Sequence, residues 1–247
     1  MAMLSSEVLL TVWESSHHKH PIERALALLD AAWPEVGAGT WARAPIGQRD
    51  CSLLGLHEAL FGSELGTTTR CPRCTERLES SFTVGDIRVR APAAPITPPS
   101  QQLRAQDYAV DYRLPTSEDL LDIVASGIDT EAATRELLRR CVISAQQAEQ
   151  PIDPSTLPLA ILEQLGEQMT REDPEAEICL RLTCPGCGHA WRASFDIASY
   201  LWSELQDWAH RVLADIHTLA GAYGWSERQI LALSPVRRQL YVDMVRA

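Results

Sequence analysis

Along most of the chain apolar residues recur every three or four positions, the spacing of helices that bury one face. Pro21 stands at a favoured first-turn position, and Ile22, Ala25, Leu26, Leu29 and Trp33 follow at helical spacing until Pro34 stops the run. Ahead of it, residues 8–13 form an apolar run that suits a strand or a helix. A second helix is predicted over residues 50–61, with Leu53, Leu54, Leu56 and Leu60 as its apolar positions and Gly62 as its end. Thr116-Ser117-Glu118-Asp119 opens a helix before Leu120 and Leu121, and residues 131–145 and 157–169 read as two more. The longest pattern covers residues 196–222, with Ile197, Leu201, Leu205, Trp208, Val212, Ile216 and Leu219 on one stripe and Gly221 and Gly224 as breaks. Ser226 to Gln229 is a capping box before Ile230, and Ser234-Pro235 starts a last helix whose apolar side is read as Leu240, Tyr241, Met244 and Val245.

Period-two stretches are fewer. Residues 108–114 alternate through Tyr108, Val110, Tyr112 and Leu114. Residues 67–69 and 78–84, the latter with Ser80, Phe82 and Val84 on one face, flank Cys71-Pro72-Arg73-Cys74. Residues 178–182 and 190–197 flank Cys184-Pro185-Gly186-Cys187. Two residues between thiolates let both sulfurs turn onto one ion, and two such pairs make a four-thiolate set that suits Zn²⁺. Strand, knuckle, strand, twice over, predicts a zinc ribbon with Cys71, Cys74, Cys184 and Cys187 as ligands of a structural metal. The knuckles begin 113 positions apart, so residues 75–183, 109 in all, are inserted within the metal loop. Separate ions on each pair, or pairing between two copies, are the rival arrangements. A redox dithiol would place one motif before a helix, and here both lead into strands. A catalytic zinc would need an open position, for which His189 is the nearby substitute ligand. The histidines at 17, 18 and 20 read as a solvated loop or a second metal site. Cys51, Cys141 and Cys179 stand alone, with no pattern that marks a nucleophile.

These readings combine into an α+β, mainly helical fold, a split zinc ribbon with a large insertion and a C-terminal helical region. The predicted layout is an N-terminal helical region (1–66), the first ribbon half (67–90), an inserted linker, strand and helices (91–176), the second ribbon half (177–197) and C-terminal helices (198–247). Residues 91–100 hold four prolines and read as an extended linker. The chain has 247 residues and a formal charge of −11, which argues against a nucleic-acid backbone binder. No apolar run reaches the roughly 20 residues of a membrane span, and no secretion signal opens the sequence, so the expected place is the cytoplasm. Glycine-rich phosphate loops, nucleophile elbows and H-E-x-x-H are all missing, so no enzyme is predicted.

Three passages are similar to a family of baseplate proteins from contractile-tailed phages and phage-derived contractile injection systems. The first is Ile46-Gly47-Gln48-Arg49-Asp50 with Leu53-Leu54, running through Phe61-Gly62 to the first knuckle. The second is Tyr112-Arg113-Leu114-Pro115-Thr116 before Asp119-Leu120. The third, the most specific, is Tyr223-Gly224-Trp225-Ser226-Glu227, then Ile230, Leu233, Arg237-Arg238 and Tyr241. Together the passages span most of residues 40–247, and residues 1–40 lie outside the resemblance. The resemblance implies a non-enzymatic part of the baseplate or central hub, or an assembly chaperone for it. Its implied partners are other baseplate, hub or spike proteins, met in the cytoplasm or within an assembled phage-like particle. The last helix is basic (Arg228, Arg237, Arg238, Arg246) in an acidic chain, so Trp225, Arg237, Arg238, Leu240 and Tyr241 are candidate partner contacts. Packing of that helix on its own core is the competing reading. A zinc ribbon that binds nucleic acid or serves transcription is the alternative function.

Overall fold

The structure, a computed structural model, describes residues 4–91, 95 and 99–246. In chain order, helices α1 (Ser6–Ser16), α2 (Pro21–Ala32) and α3 (Ile46–Phe61) precede a hairpin of β1 (Glu64–Arg70) and β2 (Arg77–Thr83). A single turn, α4 (Val84–Ile87), follows. Next come β3 (Gln101–Ala105), β4 (Tyr108–Tyr112), α5 (Ser117–Ser126), α6 (Thr130–Cys141), β5 (Val142–Gln147), β6 (Gln150–Ile152) and α7 (Leu159–Glu172). A second hairpin, β7 (Cys179–Thr183) and β8 (Ala190–Ser194), leads to α8 (Ile197–Tyr223), α9 (Glu227–Leu231) and α10 (Pro235–Arg246). Among the described residues the fold is mainly helical, with two two-stranded sheets and one four-stranded antiparallel sheet in the order β3-β4-β5-β6. Among the described residues, no helix is long and apolar enough to cross a membrane.

The chain divides into two compact units, Met1–Ala32 with Ala198–Ala247, and Trp33–Ile197. In the first, every element among the described residues is a helix. Leu10 of α1 packs with Ala209 and Val212 of α8, bordered by Trp13, Trp208 and Ile216. Further along α8, Leu219 meets Ile230 of α9 and Val242 of α10. In the second unit, α7 lays Ile161, Leu162, Leu165 and Met169 against Val110, Tyr112, Cys141 and Ala145 of the four-stranded sheet region. Helix α3 is buried on nearly every side, from Ile46 through His57, and Gly62 closes it at φ 97°.

Several elements differ from the sequence reading. Residues 131–145 are not one helix: α6 ends at Cys141 and the chain turns directly into β5. The β-branched Val142 and Ile143 suit a strand, and β4 and β6 stand ready to pair on both sides. Strands β5 and β6 join through Ala148 and Glu149, both at positive φ (48° and 67°). That is a two-residue hairpin turn without the glycine or asparagine that normally announces one. Gly221 lies inside α8, and Gly224 (φ 68°) is the residue that follows its end. On α10 the buried positions are Arg238 and Val242, whereas Leu240, Met244 and Val245 are exposed. The run at 8–13 is helical, as part of α1. The linker reading at 91–100 falls mostly outside the described residues.

Candidate metal centre

Each C-P-x-C knuckle forms the tip of a hairpin. Arg70 pairs with Arg77 around the first, and Thr183 with Ala190 around the second, so both tips are six-residue loops. The loops share one hydrogen-bond plan. Cys71 N–H donates to the Glu76 carbonyl and Cys184 N–H to the His189 carbonyl, each at 2.9 Å. Four residues past each first cysteine, Thr75 N–H and Gly188 N–H donate back to the carbonyls of Cys71 and Cys184, also at 2.9 Å. Thr75 and Gly188 are both left-handed, at φ 62° and 69°. Glycine takes that conformation freely, while threonine holds it under strain. Arg73 N–H points at Cys71 Sγ at 3.4 Å. Repeating the plan turns all four sulfurs to one point.

The ligand atoms of Cys71, Cys74, Cys184 and Cys187 lie within 4.8 Å of one another, and this group could hold a metal ion. Cys71 and Cys187 sulfurs are 3.7 Å apart, and Cys74 and Cys184 are 3.5 Å apart. A tetrahedral ion with arms of about 2.3 Å would set its sulfurs about 3.8 Å apart, whereas a disulfide needs about 2.05 Å. All seven cysteines are free thiols. Burial raises the Cys71 pKa, but the N–H groups of Cys74 and Arg73 and the thiols beside it outweigh that and bring it down to about 7. The Glu76 N–H acts to lower the Cys74 pKa, but its contacts with Cys187 and Cys184 push it up to about 12. A divalent cation held by the four sulfurs would take them as thiolates. Leu78 and the half-buried Trp191 close the apolar side of the group, and Phe82 meets Phe195 edge to face at 5.3 Å between the two hairpins. The His189 ring is outside the gathered ligands and lies beside Trp191.

A second feature lies at the base of the insertion. Glu175, with its side chain buried, accepts from Val89 N–H at 2.9 Å and Arg90 N–H at 2.7 Å. Asp173, equally buried, accepts from Gly47 N–H and from Arg90 Nη1, each at 2.8 Å. Arg90 also donates to the Glu172 carbonyl, and Glu172 accepts from the Tyr112 hydroxyl. The chain leaving the first hairpin is therefore stitched to the chain entering the second. No motif announced these residues, because the partners stand more than 80 positions apart in an unremarkable Glu-Asp-Pro-Glu run. Close by, the first two baseplate-like passages meet: Ile46 N–H donates to the Pro115 carbonyl, and Arg49 to Ser117 Oγ at 3.0 Å. Arg113 clasps Asp119 through two 2.7 Å bonds, and Asp119 completes the capping box of α5 by accepting from the N–H of Thr116, the N-cap residue.

The family model described as T4 bacteriophage base plate protein matches residues 6–202. The chain belongs to that family. No curated protein and no solved structure matches it. The base plate match takes in both knuckles, the insertion and the polar stitching at its base. It also covers most of residues 1–40, which the sequence reading had left outside the likeness. It ends before the Tyr223–Tyr241 passage, the most specific of the three.

Within this base plate protein, the candidate partner residues fall into two groups. Trp225 and Tyr241 form an aromatic cluster with their neighbour Tyr223, with ring centres 4.7–5.9 Å apart. Arg238 is buried, with Nε 3.2 Å from Asp215 of α8. Arg237 and Leu240 face solvent, as do Val236 and Met244 at one-turn intervals beside Leu240. The histidines near the start are locally bonded: His17 Nδ1 donates to the Glu14 carbonyl, and His20 Nδ1 accepts from Ile22 N–H. Among the described residues, only the four cysteines gather as a metal-holding group. Burial pushes Cys51 and Cys141 each up to about 12, which makes both thiols inert.

Proposed function

We propose that this base plate family member is a zinc-stabilised structural or assembly protein of a contractile-tail baseplate, acting through protein contacts rather than catalysis. Family membership makes it a structural phage-tail protein that interacts with other tail or baseplate proteins. The observation that carries the finer reading is the four-sulfur group at the tips of two hairpins. Cys71, Cys74, Cys184 and Cys187 would hold one Zn²⁺ in a closed set. With no open position, such an ion supplies cross-linking and no reaction chemistry. A split zinc ribbon of this kind fastens the two ends of the insertion. Exposed Arg237 and Leu240 then offer a contact for hub, spike or other baseplate components. Trp225, Arg238 and Tyr241 support that contact by holding α10 in place. Assembly would take place in the cytoplasm.

The test is a Cys184→Ser chain placed in an otherwise normal particle-producing strain. The proposal expects the purified variant to lose its metal and baseplates to fail to assemble, with free tail parts accumulating. Normal particles from that strain would contradict it.

A further inference from the structure

We propose that Arg90, Asp173 and Glu175 are positioning residues for the metal centre, a carboxylate clasp that preorganises the two cysteine hairpins. The inference rests on the zinc reading above. Without the clasp, an ion joining Cys74 to Cys184 closes a loop of 109 residues. With Arg90 held by Asp173 and Glu175, the insertion is already closed at its neck. The free path is then 16 residues from Cys74 to Arg90 and nine from Glu175 to Cys184, about 25 in all. The entropic penalty of closure scales as three-halves of the logarithm of loop length, so shortening 109 to about 25 favours binding by roughly ninefold.

The clasp is built for rigidity. Both carboxylates are almost fully buried, and they accept main-chain N–H groups as well as the guanidinium. The main-chain donors of Val89 and Arg90 fix where the segment after α4 passes. Gly47 lies against Asp173 so tightly that a Cβ there would stand 2.5 Å from its Cγ, so α3 is locked to the same point. The clasp thus orients the hairpin stems while touching none of the sulfurs.

The test is titration of the metal-free, reduced full-length chain with Co²⁺ alone, read by its thiolate charge-transfer and visible bands. The Asp173→Asn/Glu175→Gln double variant should keep the wild-type spectrum and one ion per chain, with Kd raised roughly three- to tenfold. Asp119→Asn is the control, because it weakens the insertion at another point and should leave Kd within about twofold. If the double variant does not fold, the milder Arg90→Gln is expected to raise Kd at least about threefold. Clasp variants that bind as tightly as wild type, or a control that loses as much, would overturn the inference while leaving the metal site standing. A wild-type chain that takes up no Co²⁺ would overturn the zinc reading itself and this inference with it.

Discussion

Replacing Gly47 with alanine sets helix propensity against packing. Gly47 is in the first turn of α3, and alanine is favoured over glycine in a helix by up to about 1 kcal/mol. On propensity alone the variant should be more stable. The structure predicts the reverse, because the new Cβ would lie 2.5 Å from Asp173 Cγ and closer still to Oδ1. Asp173 is buried and cannot swing away without losing its bonds to Gly47 N–H and Arg90. Overpacking costs about 1–3 kcal/mol, and an orphaned buried N–H about 1–3 kcal/mol more. After subtracting the propensity gain, the net loss is about 3 kcal/mol, or a fall in Tm of about 6–12 °C for a chain of this size. Gly166→Ala in α7 is the matched comparison. Its Cβ would meet Leu138 at 3.5–3.7 Å, an ordinary contact, so propensity should win and stability should rise by about 0.5–1 kcal/mol. Urea denaturation of the two variants beside wild type decides the matter. A Gly47→Ala chain at least as stable as wild type would refute the close approach to Asp173.

Asp119 gives a pH signature. Burial raises its pKa, but bonds from Arg113 and Thr116 outweigh that and leave it below the ordinary value of about 3.9. Its contribution is therefore complete above that value and is lost as pH falls through the lower folded one. The stability gap between wild type and Asp119→Asn, read by urea at pH 7 and pH 3, should narrow on acidification; a constant gap would contradict this. In α10, Arg238→Ala strands Asp215 in a mostly buried setting and should cost about 3 kcal/mol. Leu240→Ser on the exposed face should stay within about 0.5 kcal/mol yet impair assembly into particles. Thermal melts with a particle-yield assay separate the two, and equal melts would count against the inward turn of Arg238.

How much of this was legible in the sequence follows from how local each signal is. The helix starts at Pro21 and Thr116, the Ser226 capping box and the long stripe of α8 need only neighbouring residues, and each stands where the pattern placed it. The knuckles were also legible, because two residues between cysteines leave little freedom for the turn. The four-stranded sheet was mostly hidden. β5 continues directly from a helix, and the Ala148-Glu149 turn lacks the usual turn residues. On α10 the apolar pattern at 240, 241, 244 and 245 left open whether that side packs inward or meets a partner, and the structure exposes 240, 244 and 245. The pairing of Arg238 with Asp215, 23 positions away, sets which face turns in. The clasp at Asp173 and Glu175 was invisible for the same reason, since its partners lie at 47, 89 and 90.

In the proposed arrangement one ion joins two knuckles separated by an entire inserted module. Metal content per chain, measured on the purified protein and on Cys184→Ser alone, tests it most directly. One zinc per wild-type chain and none in the variant is the expected result, because removing one thiolate from the far hairpin opens the shared set. Two ions per chain, or a metal that survives the change, would contradict it and assign each knuckle a site of its own.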